Sequence, residues 1–203
     1  MNKIITIARE VGSGGREVGR MLADALGVRY YDREILTEIA QHASLTEEYV
    51  QEVVERRPQP AFSLTGGQMT AFLETYATLP AQSVYQAQRT AVHALAERSD
   101  CVVIGRCADY ILRDLHPLRI FLHADLECRV KRCLARQKAD AEALDEKSMR
   151  QLVQKLDRER AKYYDFYTGM RWGAKENYDL CLNTTDADLS AMASILAEAV
   201  RRL

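Results

Sequence analysis

Apolar positions along this chain follow two periods, short continuous runs and stretches that repeat every three to four residues. Ile4-Ile5-Thr6-Ile7 is β-branched and predicts a strand over residues 3–8. Val18, Met21, Leu22, Ala25 and Leu26 then share one face of a helix over residues 17–26, and Gly27 supplies its C-terminal stop. A second strand is predicted over residues 28–31, ending at Asp32. Residues 33–56 read as helical, with Ser44 or Thr46 as an N-cap. Arg56-Arg57-Pro58-Gln59-Pro60 and Thr65-Gly66-Gly67 break that pattern and predict the most mobile segment. A long helix over residues 82–98 feeds the clearest strand, Cys101-Val102-Val103-Ile104, which Gly105-Arg106 closes. Residues 118–123 form a strand after Pro117, followed by basic helices over residues 126–138 and 147–163 with a polar connector between them. A short strand over residues 180–183 and an amphipathic helix over residues 188–202 finish the chain.

Strands alternating with helices predict an α/β fold, a parallel sheet with helices on both faces. Ligands in such sheets bind beyond the carboxyl ends of the strands. Asp32, Arg106 and the glycine-rich turn after the first strand all fall there. A length of 203 residues suits a single domain, residues 1–203, with subdomain insertions. The net charge of −1 gives no global basic field for nucleic acid. No apolar run approaches the ~18 residues that cross a bilayer. Five cysteines without a CxxC pair argue against a disulfide framework or a zinc site. The expectation is a cytoplasmic protein with neither nucleic acid nor membrane as partner.

Three constellations carry chemistry. Gly12-Ser13-Gly14-Gly15 opens a helix directly after a strand, so backbone N–H groups converge on a site suited to phosphate. A tight strand-to-helix connection would need the same glycines. The phosphate-loop pattern ends in Gly-Lys-Ser/Thr, and the lysine is missing here. A dinucleotide-binding reading, with Asp32 as the ribose acid, is weaker because Glu17 holds the third glycine's place. Gly105-Arg106 at a strand tip, with Asp109 close behind, presents a planar cationic fork suited to phosphate, or else a local ion pair. Arg129, Arg132 and Arg136 share one helix face, as do Lys155, Arg158 and Lys162 on the next basic helix. As solvated faces they would carry intrahelical pairs. As a pair of helices they suit a lid closing over polyphosphate.

Ile5-Thr6-Ile7, the glycine turn, Leu22-Ala23-Asp24-Ala25-Leu26-Gly27, Ile104-Gly105-Arg106, Arg119-Ile120-Phe121-Leu122, the stretch from Glu127 through Arg132, and Asp157-Arg158-Glu159-Arg160 together resemble the cytidylate-kinase-like family, relatives of the nucleoside monophosphate kinases. The resemblance spans nearly the whole chain. It implies a three-layer fold of the P-loop NTP hydrolase and nucleoside monophosphate kinase type, with an acceptor-binding insertion over residues 33–95 and a helical lid over residues 129–162. It implies ATP and Mg²⁺ as donor, and small-molecule nucleotides as partners, with a pyrimidine nucleoside monophosphate such as CMP or dCMP as acceptor. Carried over by position, Arg9, Gly12, Ser13, Gly14, Gly15, Arg16 and Glu17 bind the donor. Arg106, Arg158 and Lys162 hold the acceptor phosphate, Glu159 faces its base or sugar, and Asp32 sits at the mouth of the acceptor site. Arg132 and Arg136 approach the transferring phosphoryl group. The chain departs from the family at three places. Gly15 replaces the phosphate-clamping lysine, with Arg16 beside it as a compensating cation. Glu17 stands where a magnesium-ligating hydroxyl is expected. Cys107 replaces the acid expected after Arg106, with Asp109 as its substitute. Two rival readings follow: a non-catalytic nucleotide-binding relative, and a kinase for another small acceptor.

Overall fold

The structure, a computed structural model, describes residues 2–32, 34–43, 46, 69–137 and 143–202. Five parallel strands, β1 (Ile4–Arg9), β2 (Arg29–Tyr31), β3 (Cys101–Ile104), β4 (Leu118–His123) and β5 (Leu180–Asn183), form one sheet in the order β2-β3-β1-β4-β5. The register pairs Ile5 with both Val102 and Leu118, so β1 is hydrogen-bonded on both sides. Within the apolar strands, alternate residues point to opposite faces. Ile4, Cys101 and Val103 enter one core layer; Ile5, Ile7, Val102 and Ile104 enter the other. That alternation inside a continuous apolar run is what a sheet covered on both faces requires.

Helix α1 (Gly15–Leu26) and helix α7 (Leu189–Arg202) cover the second layer, with Val18, Leu22, Leu196 and Val200 buried. Helix α2 (Glu34–Ala43) and the 30-residue helix α3 (Met69–Arg98) cover the first. Helix α3 begins well before residue 82, the start predicted from the sequence. Ser44 and the breaker-rich segment after it lie outside the described residues, as does most of the proposed insertion's first half.

One further element was not legible as a periodic pattern, and one ran longer than its pattern. Helix α4 (Ala108–Ile111) is a single turn after β3, too short to show a repeat. Helix α6 (Glu146–Thr168) runs five residues beyond the predicted end, because Tyr163, Tyr164 and Thr168 continue its buried face. Helix α5 (Leu126–Ala135) packs on α6 through Val130, Met149 and Val153, a small core of its own beside the glycine turn.

The chain leaves β1 toward β2, on one side, and leaves β3 toward β4, on the other. The crevice between the ends of β1 and β3 is therefore a topological switch point, where open α/β sheets bind ligands.

Candidate active site

Gly14 is the N-cap of α1 and adopts a left-handed backbone at φ 83°. Gly12 is also left-handed, and a Cβ there would lie 2.6 Å from the carbonyl oxygen of Arg129. The turn is closed from within by Ser13 N–H and Oγ donating to the Glu10 carbonyl at 3.3 and 2.9 Å. From outside, Thr184 Oγ1 donates to the Ser13 carbonyl at 2.7 Å. Val11 N–H donates to Asp157 at 2.8 Å.

Arg129 locks this arrangement rather than lining an open lid. Its buried guanidinium meets Asp157 at 2.5 Å and Glu10 at 3.3 Å, and donates to the carbonyls of Ala124 and Val11. Glu10 in turn accepts from Ala124 N–H at 3.1 Å. Pairs on these basic helices thus reach between helices and to the turn, beside intrahelical pairs of the kind the sequence pattern suggested, Arg150–Glu146 and Lys162–Glu159. Arg132 donates to the Thr184 carbonyl at 2.6 Å, and Arg136 pairs with Glu17 at 2.6 Å. Arg16 pairs with Asp32 at 2.7 Å, half-exposed at the front of the turn.

Beside the turn lies a cavity of about 50 Å³, between the ends of β1 and β3 and the flank of α6. Arg9, Gly105, Arg106, Asp109, Arg160 and Trp172 are among its walls. Its volume is enough for one tetrahedral oxyanion. Arg9 is buried, with its guanidinium 3.7 Å from Asp32. Burial, and then the guanidinium groups of Arg160, Arg106 and Arg16, press its pKa well below the usual arginine value, against the pull of Asp32. Arg160 Nη1 donates to the Arg9 carbonyl at 3.3 Å, and its guanidinium lies 3.9 Å from Asp157. Cations gathered around one buried guanidinium in this way are suited to an anion.

Gly105, Arg106 and Cys107 are all left-handed, at φ 65°, 59° and 54°. Such a turn is strained for side-chain-bearing residues, and strain of this kind persists only where the surroundings hold it. Here the fully buried Gln88 donates to the Arg106 carbonyl at 2.7 Å and accepts from Tyr163 Oη at 3.0 Å. The backbone that carries Arg106 into the cavity wall is thereby held.

Asp109 is buried and accepts from Tyr164 Oη at 2.6 Å. Burial raises its carboxyl pKa above the usual value of 3.8, with the Tyr164 hydrogen bond opposing. A raised carboxyl pKa means the folded state holds the proton more tightly. Its contribution to stability is full below the unfolded value and is lost as pH rises through the folded one. Asp109→Asn, which still accepts from Tyr164, is expected to remove that loss. Urea unfolding across the acid-to-neutral range should show the variant gaining on the native chain as pH rises from about 4. Parallel curves would exclude a raised Asp109.

The structure thus brings Arg9, Arg106 and Asp109 together in the cavity wall, with Asp32 and Arg16 joined to Arg9 in a line of charges. Arg158 and Lys162 are exposed on α6, and Lys162 lies 3.5 Å from Glu159. The α6 arginine in the cavity wall is Arg160. The signal for it was the helical face that runs from Met149 and Val153 through Asp157 and Arg160 to Tyr164. The i, i+3, i+7 grouping of Lys155, Arg158 and Lys162 picks out another face. Counting along the loop also corrects one correspondence. With Gly14 as the pattern's last glycine, Gly15 holds the lysine's place and Arg16 that of the following hydroxyl, so Glu17 lies one residue beyond it.

The profile of the Cytidylate kinase-like family matches residues 4–186. A cytidylate kinase of Methanopyrus kandleri is 26% identical over 207 aligned positions, covering 97% of this chain and 92% of that protein. Among solved structures, an uncharacterized protein from Eubacterium ventriosum superposes with a TM-score of 0.71 at 24% identity, with 99% of each chain covered. A shikimate kinase from Bacteroides thetaiotaomicron superposes with a TM-score of 0.59 at 14% identity, again over 99% of each chain. These structural likenesses establish a shared fold.

Proposed function

We propose, from the premise that this chain belongs to the cytidylate kinase-like family of P-loop-type kinases, that it transfers the γ-phosphoryl group of ATP to a pyrimidine nucleoside monophosphate of the CMP or dCMP kind. The observation that carries this reading is the phosphate-sized cavity walled by Arg9, Arg106 and Arg160, which adjoins the glycine turn at the switch point of the sheet. Arg106 and Arg160 would hold the acceptor phosphate, and the N–H groups opening α1 would hold the donor's. Phosphoryl transfer needs little covalent chemistry from the protein, so positioning and charge neutralisation do the work. The donor set of backbone N–H groups and guanidinium forks fits a polyphosphate. Among the described residues no group of three or more His, Cys, Asp or Glu suits a metal ion. Mg²⁺ would then travel with the nucleotide, held by its phosphates and waters with one or two protein oxygens.

A second reading, a nucleotide-binding relative with weak or no catalysis, is favoured by Gly15 in the lysine's place. It is favoured too by the engagement of Arg132 with Thr184 and of Arg136 with Glu17. Closure of a lid would have to exchange these contacts for phosphate oxygens.

A coupled assay of ADP release, run with Mg²⁺ and ATP against a panel of nucleoside monophosphates, separates the two. The expected result is turnover highest with CMP or dCMP. Binding of ATP or CMP without phosphorylation of any acceptor selects the second reading. Preference for a non-nucleotide hydroxyl would leave the kinase class and overturn the acceptor.

A further inference from the structure

Two departures from the phosphate-loop pattern, at its opposite ends, meet in space. Position 9, where the pattern has its first glycine, carries arginine, and position 15, where it has lysine, carries glycine. The stem of Arg9 runs directly over Gly15. A Cβ on residue 15 would stand 2.7 Å from both Cβ and Cγ of Arg9, closer than real carbon atoms approach. Those two Arg9 atoms lie next to its own backbone in β1, so they have little freedom to move aside. At its far end, Arg9 Nη1 would stand 1.9 Å from a Cβ on Gly105, so the guanidinium occupies the space that a side chain there would take. A lysine at 15 and an arginine at 9 are therefore mutually exclusive. The first methylenes of one would fill the volume taken by the stem of the other.

The charge follows the volume. Arg9 ends in the cavity wall beside Arg106 and Arg160, with Asp32 to orient it. An arginine held there delivers a cation to the phosphate site from the strand instead of from the helix.

We propose that Arg9 supplies, from the end of β1, the phosphate-clamping charge that the usual lysine supplies from the start of α1, and that residue 15 is glycine to let it pass. The identity of the anion as a nucleotide polyphosphate rests on the function proposed above; the steric exclusion between residues 9 and 15 stands by itself. Arg16, the neighbour first suggested as compensating, faces Asp32 half-exposed and is not required for this clamp.

The test compares the native chain with Arg9→Gly, Arg9→Met, Gly15→Lys and the double variant R9G/G15K. Affinity for inorganic tripolyphosphate is measured by calorimetry, and thermal midpoints are read beside it. Arg9→Gly and Arg9→Met should each weaken tripolyphosphate binding by about a hundredfold. Gly15→Lys alone should lower the midpoint, while in R9G/G15K the lysine has room. The double variant should regain at least tenfold of the affinity lost in Arg9→Gly. Arg9→Met keeps the stem without the charge, so it should lose affinity with a near-native midpoint, which separates charge from folding. Tripolyphosphate binding that is absent in the native chain or unchanged by both Arg9 variants overturns the proposal. So do Gly15→Lys tolerated at a native midpoint and strictly additive effects in the double variant. Arg9-dependent tripolyphosphate binding with no nucleoside monophosphate phosphorylated would sink the acceptor reading alone. CMP turnover that survives Arg9→Met would sink the clamp alone.

Discussion

Arg106→Ala is expected to raise KM for CMP on the order of a hundredfold while changing KM for ATP far less. The magnitude follows from removing one charged partner of a desolvated anion, which typically costs about 2–5 kcal/mol, where 1.4 kcal/mol is a factor of ten. Arg106 stands in the cavity wall at the tip of β3, with the Arg9 side chain between it and the start of α1 where the donor would sit. Steady-state kinetics with each substrate varied in turn reads the split. An effect confined to ATP would put Arg106 on the donor side and overturn its acceptor role. Loss of fold is checked by the thermal midpoint. The supporting contact is made by the backbone carbonyl of residue 106 to Gln88, which alanine retains, so the midpoint should stay near native.

Asp157→Ala is expected to cause the largest loss of stability of any single change near the site. Asp157 accepts from Val11 N–H at 2.8 Å and faces Arg129 at 2.5 Å, with both side chains largely buried. Removing it strands a buried guanidinium whose other carboxylate, Glu10, is 3.3 Å away. Breaking a buried pair in this way costs about 3–5 kcal/mol. For a chain of this size each kcal/mol lowers Tm by roughly 2–4 °C, so a drop on the order of 10 °C should appear in a thermal melt. Replacing both partners, in Asp157→Ala with Arg129→Met, should recover part of that loss, because no charge is then left buried. The exposed neighbour change Arg158→Ala should stay within about 0.5 kcal/mol of native. A melt of Asp157→Ala that matches Arg158→Ala would show that the pair does not hold the turn.

These two expectations separate roles that look alike in the sequence. Arginine recurs through both basic helices, and residue type alone does not distinguish a clamp from a ligand. Burial does. Arg129 is buried against Asp157 and the turn, Arg160 faces the cavity, and Arg158 faces solvent. The phase of each helix relative to the core decides which is which. The phase of α6 is set by Met149, Val153, Tyr163 and Tyr164, not by the charges themselves.

The sequence by itself determined the layered architecture, because continuous β-branched runs separated by amphipathic helices have few other ways to bury both faces of a strand. It also located the glycine turn and Gly105-Arg106 at strand ends, and it carried the family resemblance that the profile over residues 4–186 bears out. Tertiary structure decided what depends on residues far apart in the chain. It set the strand order that puts β3 beside β1, and with it Arg106 beside Arg9. Contact between the Arg9 stem and Gly15 turned a missing lysine and an extra arginine into a single feature. The left-handed turn at residues 105–107 is held by Gln88 and Tyr163, from two other helices. Local patterns report which face of an element is apolar. Only packing reports which polar groups are shut in together, and buried charge is what builds a phosphate site.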